Sequence, residues 1–200
     1  MSVSFENSET RRNLLRAFAG ESQARNRYTF SAGLARRNGL YVVEAVFRFT
    51  ADQERAHAKA FYDRLETFSG ENIAIDGTYP IDLYATVLEH LRAAQHNEYQ
   101  EYEHDYTAFA HMAKDEGFPE ISHLFSNVAR IEKVHGDRFG QFADLLEQGK
   151  LFVNEEACQW MCLNCGYVVT AERPPEQCWV CKHDQGYFVR VEMAPFQSKK

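Results

Sequence analysis

Glu54-x-x-His57 and Glu132-x-x-His135 both fall on stripes of apolar residues that otherwise repeat with the period of an α-helix. A Glu and a His three positions apart share one helix face, so two such helices packed together aim carboxylates and imidazoles at a common point. The chain then carries Cys162-x-x-Cys165 and Cys178-x-x-Cys181 near its end, four thiolates in two knuckles. Two kinds of metal site are thus written into one polypeptide, a harder oxygen and nitrogen site within helices and a soft tetrahedral sulfur site in a short tail.

With 200 residues, of which 44% are hydrophobic, the chain is long enough for a packed core. The net charge of −7 argues against a nucleic-acid or anionic-membrane binder, since both need a basic surface. No apolar run approaches the ~20 residues that span a bilayer. Residues 1–7 lack the charged-then-apolar layout of a signal peptide, so a cytoplasmic protein is expected. In a reducing compartment, cysteines in knuckle spacing point to metal rather than disulfides.

Apolar spacing predicts four long helices. The first covers about 8–37, with Leu14, Phe18, Tyr28 and Ala32 in register and Asn38-Gly39 as the stop; the second covers about 41–68, with Val43, Phe47, Phe61 and Leu65. Residues 69–80 hold Gly70, Asn72, Gly77 and Pro80 and read as a long connection that crosses the bundle. The third helix is expected over about 82–116, with Val87, Leu91, Ala94, Phe109 and Met112 inward, and the fourth from Pro119 to Gly149, with Ile121, Phe125, Val128, Phe139, Phe142 and Leu146 inward. The expected fold is therefore mainly α: a four-helix bundle over 1–149, then a linker and a small metal-bound β module over 150–200, too short to hold itself by an apolar core alone. The two helix pairs echo each other, each giving a carboxylate from one helix and Glu-x-x-His from the next, which suggests an internal duplication.

Burying one ionised carboxylate without a partner costs several kcal/mol, yet these seams bury Glu21, Glu54, Glu98, Glu101 and Glu132 at about one level. Arg25, Arg55, Lys59 and Lys133 mostly fall off the seams, which leaves multivalent cations as the compensating charge. A Glu from each of two helices plus Glu-x-x-His from two others is the ligand set of a di-iron or di-manganese carboxylate bundle; this chain supplies that set and one more glutamate. A single Glu-x-x-His is common on solvated helix faces, and it is the repetition on apolar stripes that points elsewhere. His90, His96, His104, His111, His123 and His183 lack such a pattern and read as surface or satisfied polar residues. Tyr28 and Tyr106 fall within reach of the pocket, as hydrogen-bond donors to its ligands or as ordinary core tyrosines.

In the tail, Gly166 follows the first knuckle and lets the backbone turn its N–H groups toward sulfur. Spacing alone leaves iron and zinc open. Cys158 reads as a spare reduced thiol.

Over essentially its full length the chain resembles the rubrerythrins: Glu21, Glu54-x-x-His57, Glu98-x-x-Glu101 and Glu132-x-x-His135 match a ferritin-like di-iron part, and Cys162-x-x-Cys165-Gly166-Tyr167 matches a rubredoxin-like knuckle. Glu101 is the extra ligand that separates this family from ferritins and bacterioferritins. The resemblance implies a non-haem di-iron peroxidase for oxidative stress defence. It would reduce hydrogen peroxide to water with electrons passed through an Fe(Cys)4 centre, linked to NADH through a rubredoxin or an NAD(P)H-dependent reductase. It also implies that Glu101 and His57 exchange as ligands of one iron, with Tyr28 and Tyr106 beside the cluster. Trp179 departs from the family, where many members have proline. From His135 to Gln148 are thirteen helical steps, ~20 Å at ~1.5 Å each, so the tail of one chain is far from its own di-iron site. A head-to-tail homodimer removes that distance, and the family resemblance implies one; the 69–80 connection would also permit exchange of helix pairs. The rival expectations are a ferroxidase or iron store using almost the same ligands, and a binding protein with a structural zinc ribbon.

Overall fold

The computed structural model describes residues 3–195; Met1, Ser2 and 196–200, the outer ends of the two expected units, lie outside the described residues. Helix α1 (Glu9–Arg37) is capped by Ser8, whose hydroxyl accepts from the Arg11 N–H. Helix α2 (Tyr41–Asp63) returns antiparallel beside it, and α1 with α2 makes the most extensive helix pair in the molecule. The second pair is α3 (Val87–Gln100), which continues through a π-helical turn over Glu101–Asp105 into α4 (Tyr106–Asp115), and α5 (Pro119–Glu147) packed against both.

Two helix limits differ from the sequence expectation. The second helix stops at Asp63 and gives way to a short 3-10 turn over Glu66–Phe68 rather than running on. The third begins at Val87, five residues late, because Thr86 and Glu89 form a capping box in which each side chain accepts the other's backbone N–H. The crossing segment therefore runs without regular structure to residue 85, and it exposes Ile81 and Leu83.

The π turn causes a third difference. One extra residue in the turn rotates everything after it, so Tyr106, Ala110 and Ala113 face inward and Met112 is exposed.

Apolar side chains form two clusters in the bundle. One, toward the α1–α2 corner, contains Tyr28, Phe47, Leu91 and Phe139. The other, toward the opposite end, contains Leu14, Phe61, Tyr106 and Phe125.

The tail is a three-stranded antiparallel sheet in the order β2-β1-β3, from β1 (Cys158–Cys162), β2 (Val168–Ala171) and β3 (Phe188–Arg190). Its own core is only Trp160, Cys162, Cys178 and Phe188 with a few half-buried neighbours. The module docks on the α1–α2 corner: Tyr187 stacks on Tyr41 with ring centroids 4.1 Å apart, and Arg190 donates to the carbonyls of Lys150 and Val153.

Candidate metal centres

Between the two apolar clusters lies a polar layer. Glu21 comes from α1, Glu54 and His57 from α2, Glu98 from α3, and Glu132 and His135 from α5; all six are buried. Their ligand atoms gather in two sets, each within 4.8 Å: Glu21, Glu54, His57 and Glu132, and Glu54, Glu98, Glu132 and His135. Glu54 and Glu132 belong to both. Their neighbours in the layer are the two histidines: Nδ1 of His57 lies 3.0 Å from Glu54 and 2.9 Å from Glu132, and Nδ1 of His135 lies 3.0 Å from Glu54 and 2.8 Å from Glu132.

Among the described residues no Lys or Arg pairs with these carboxylates, and many of their atoms lack a hydrogen-bond partner: both oxygens of Glu54 and of Glu132, Oε2 of Glu21, Nδ1 of His57 and both ring nitrogens of His135. Such a set of orphaned donor atoms fits two divalent or trivalent cations and fits little else, since no packed interior leaves so many polar atoms unmatched. The electrostatics agree. Burial, followed by the neighbouring carboxylates, pushes Glu21, Glu98 and Glu132 well above the usual carboxylate range. Burial also works to raise Glu54, but His135 and His57 outweigh it and hold that carboxyl at about 2. Metal-free, the layer has to keep protons where it could hold cations.

Tyr28 and Tyr106 enter the layer from opposite apolar clusters. Tyr28 donates its hydroxyl proton to Glu98, and Tyr106 donates to Glu21 at 2.6 Å. Each tyrosine thus holds the carboxylate of the other helix pair. The pairing is two-fold in character but the spacing is not: Tyr28 is seven residues past Glu21, Tyr106 eight past Glu98. The π turn absorbs the extra residue, and that mismatch between halves is the one sequence signal that could have revealed it.

Glu101 opens the π turn and stays outside both ligand sets. It is half-buried at the wall of a cavity of about 290 Å³ that also reaches Tyr106, and burial with the charge of Glu54 pushes its carboxyl up to about 8. Arg138, one turn beyond His135, was not singled out by sequence; its guanidinium donates to Thr50 and Gln53 at 2.9 Å beside the layer. The remaining histidines behave as expected: His96, His104, His111 and His123 are exposed, His90 meets Ser31, and His183 packs edge-on against Tyr187.

In the tail, Cys162, Cys165, Cys178 and Cys181 bring their sulfurs within 4.8 Å of one another. The Cys162–Cys181 and Cys165–Cys178 separations are 3.7 and 3.6 Å, close to the ~3.8 Å edge of a tetrahedron with ~2.3 Å metal–sulfur bonds. Gly166 adopts φ +77, which lets the chain turn back so that the Tyr167 N–H meets the Cys165 sulfur. Burial pushes Cys162 up to about 12, while the His183 N–H draws Cys181 down to about 6. Trp179 is exposed against Tyr167 and leaves the four sulfurs together. Cys158 stays outside the cluster as a free thiol.

Residues 12–143 match the rubrerythrin family model, and 160–189 match the model of the rubrerythrin rubredoxin-like domain. The chain belongs to the rubrerythrin family. It is 42% identical to the rubrerythrin of Porphyromonas gingivalis over 94% of this chain and 92% of that one, and 40% identical to that of Nitratidesulfovibrio vulgaris over 92% and 95%. A structure of nigerythrin in its fully reduced, all-ferrous state superposes with a TM-score of 0.63 at 26% identity, covering 95% of this chain and 88% of that one. Mycobacterium tuberculosis bacterioferritin, 19% identical, shares the helical fold with a TM-score of 0.62 over 74% of this chain and 90% of its own. In an iron-binding family, the carboxylate and histidine layer is a candidate di-iron centre and the four-cysteine cluster a rubredoxin-like iron site. No described helix is long and apolar enough to cross a membrane.

Proposed function

We propose that the chain is a cytoplasmic di-iron peroxidase: hydrogen peroxide accepts two electrons and two protons, its O–O bond breaks, and two water molecules leave. The observation that carries this reading is one polypeptide holding both the orphaned carboxylate and histidine layer and a tetrahedral thiolate cluster, since a store has no need of the second. Glu21, Glu54, His57 and Glu132 would hold one iron, and Glu54, Glu98, Glu132 and His135 the other. A pair of ferrous ions in that site would supply the two electrons for peroxide reduction.

The chain's own residues do the rest. Glu54 and Glu132, shared by both sets, keep the two positions adjacent. Tyr28 and Tyr106 keep their protons, because burial and the adjacent carboxylates raise both phenols, and their hydroxyls hold Glu98 and Glu21 in place. His57 lies in the ligand set while Glu101 waits at the cavity wall, which is one side of the exchange that the family resemblance implies. The two apolar clusters above and below keep bulk water from the layer.

Electrons would enter at the four-cysteine iron from a rubredoxin or an NAD(P)H-dependent reductase. The tail docks near Tyr41, and thirteen helical steps of α2 lead from Tyr41 to Glu54, ~20 Å along the helix. That length supports a head-to-tail homodimer in which one tail serves the partner's bundle (1–149). The test is anaerobic reduction, addition of hydrogen peroxide, and observation of the iron-thiolate band. Reoxidation is expected in the native protein, and donor-driven turnover is lost in Cys162→Ser. Uptake of many irons per chain without donor-driven turnover would instead establish a store.

A further inference from the structure

The crossing segment does more than join two helix pairs. Arg16 of α1 pairs with Asp76 and donates to its carbonyl at 3.1 Å, which pins the segment to the bundle beside the cavity at Glu101. From there the chain lays Tyr79 back over α1. Its hydroxyl donates to the Arg16 carbonyl at 3.0 Å, and its ring lies where a Cβ on Gly20, the residue before Glu21, would come within 3.6 Å. The ring also fills the space over Gly77: a Cβ there would meet it at 2.9 Å. Tyr79 is exposed on its outer side, and it lines the same cavity that Glu101 and Tyr106 line from below. A large aromatic side chain, held at its far end by one hydrogen bond and seated on two glycines, therefore forms the outer wall of a small cavity whose inner wall includes Glu101 and Tyr106, the tyrosine that holds Glu21.

We infer that Tyr79 is a specificity-determining residue that sets the size of oxidant reaching the carboxylate layer, admitting hydrogen peroxide and excluding bulky organic hydroperoxides. The inference rests on the peroxidase reading for its substrate, but its geometry concerns access alone. Tyr79→Ala removes the wall. Gly77→Ala displaces the same ring without altering it, and the shift is local because the clash is with the ring's outer end.

The experiment uses the full iron-loaded chain, reduced anaerobically, and compares the rates with cumene hydroperoxide and hydrogen peroxide. The ratio of the two is expected to rise about ten-fold or more in Tyr79→Ala, and in the same direction by less in Gly77→Ala. A second readout needs no turnover: ferrous iron is withdrawn by 2,2′-bipyridine or by the much bulkier bathophenanthroline disulfonate, with the iron-thiolate band followed separately. Removal by the bulky chelator should gain more than removal by the small one in both variants. Both ratios within about two-fold of the native protein in both folded variants overturn the inference, even where hydrogen peroxide is reduced normally. If the native protein reduces no peroxide while the chelator ratio still rises, the entrance stands and the peroxidase reading falls.

Discussion

Glu44 and Glu54 are both buried glutamates of α2, and the difference between them locates the site. Glu44 meets Arg36 at 3.0 Å and Arg48 at 2.8 Å, the ordinary way a protein interior tolerates a carboxylate. Among the described residues Glu54 pairs only with histidines, and its oxygens lack hydrogen-bond partners. The oxygens of Glu132 are likewise without arginine or lysine partners among the described residues, and its carboxyl is raised by burial and then by Glu21, Glu54 and Glu98. A carboxyl raised in the folded state costs stability above its unfolded value of 4.5, where the unfolded chain is ionised, and costs nothing well below it. Glu132→Gln should therefore stabilise the metal-free protein at neutral pH by on the order of 1 kcal/mol, a rise of about 2–4 °C in melting temperature, and the gain should vanish at acid pH. The same variant should lose most of the stabilisation that iron confers on the native protein. Paired thermal melts with and without iron decide it; a metal-free variant that melts well below the native chain would contradict the account.

At the scale of the element, the π turn between α3 and α4 sets both the reach of Tyr106 and the position of Glu101. A continuous α-helix would have presented Met112 to the core and turned Tyr106 about a quarter of a turn away from Glu21. Helix α1 shows a second device that periodicity does not announce. Glu116, at the far corner between α4 and α5, accepts the N–H groups of Glu9 at 2.9 Å and Thr10 at 2.8 Å, together with the Thr10 hydroxyl, and so caps a helix more than a hundred residues away. Burial acts to raise this carboxyl, but the bonds from Thr10 and Glu9 prevail and lower it. A depressed carboxyl contributes stability above its unfolded 4.5 and loses it as pH falls through the folded value. Glu116→Ala should cost about 1–2 kcal/mol in urea denaturation at neutral pH. The deficit should shrink at acid pH; one that stays constant down to pH ~3 would mean the charge does not act through the cap.

For the whole molecule, what matters is how the tail meets the bundle. Gly186 lies so close to the α1–α2 corner that a Cβ would fall 1.8 Å from the Gly39 carbonyl oxygen, with backbone on both sides of the clash. Gly186→Ala should undock the module at a cost of about 1–3 kcal/mol, seen as faster proteolysis within 150–157 while the helical signal of the bundle persists. Unaltered cleavage would show that the contact does not hold the two parts together. The tail has little core of its own besides its ligands, so its fold and its docking depend on the same four thiolates.

Much of this was legible in the amino-acid order, for a definite reason. Helix periodicity places Glu21, Glu54, Glu98 and Glu132 on apolar faces, and only a metal accounts for carboxylates there without arginine partners; knuckle spacing marks the four thiolates just as directly. These are short-range signals, carried within a few residues. The tertiary structure alone decided which tyrosine holds which glutamate, that Glu101 stays at a cavity outside both ligand sets, that Glu116 caps α1, and that Tyr79 folds over that cavity. Each depends on groups far apart in the chain meeting at particular angles, or on a single residue added to a helical turn. Hydrophobic spacing sees neither, because it records which face a residue occupies and not what waits across from it.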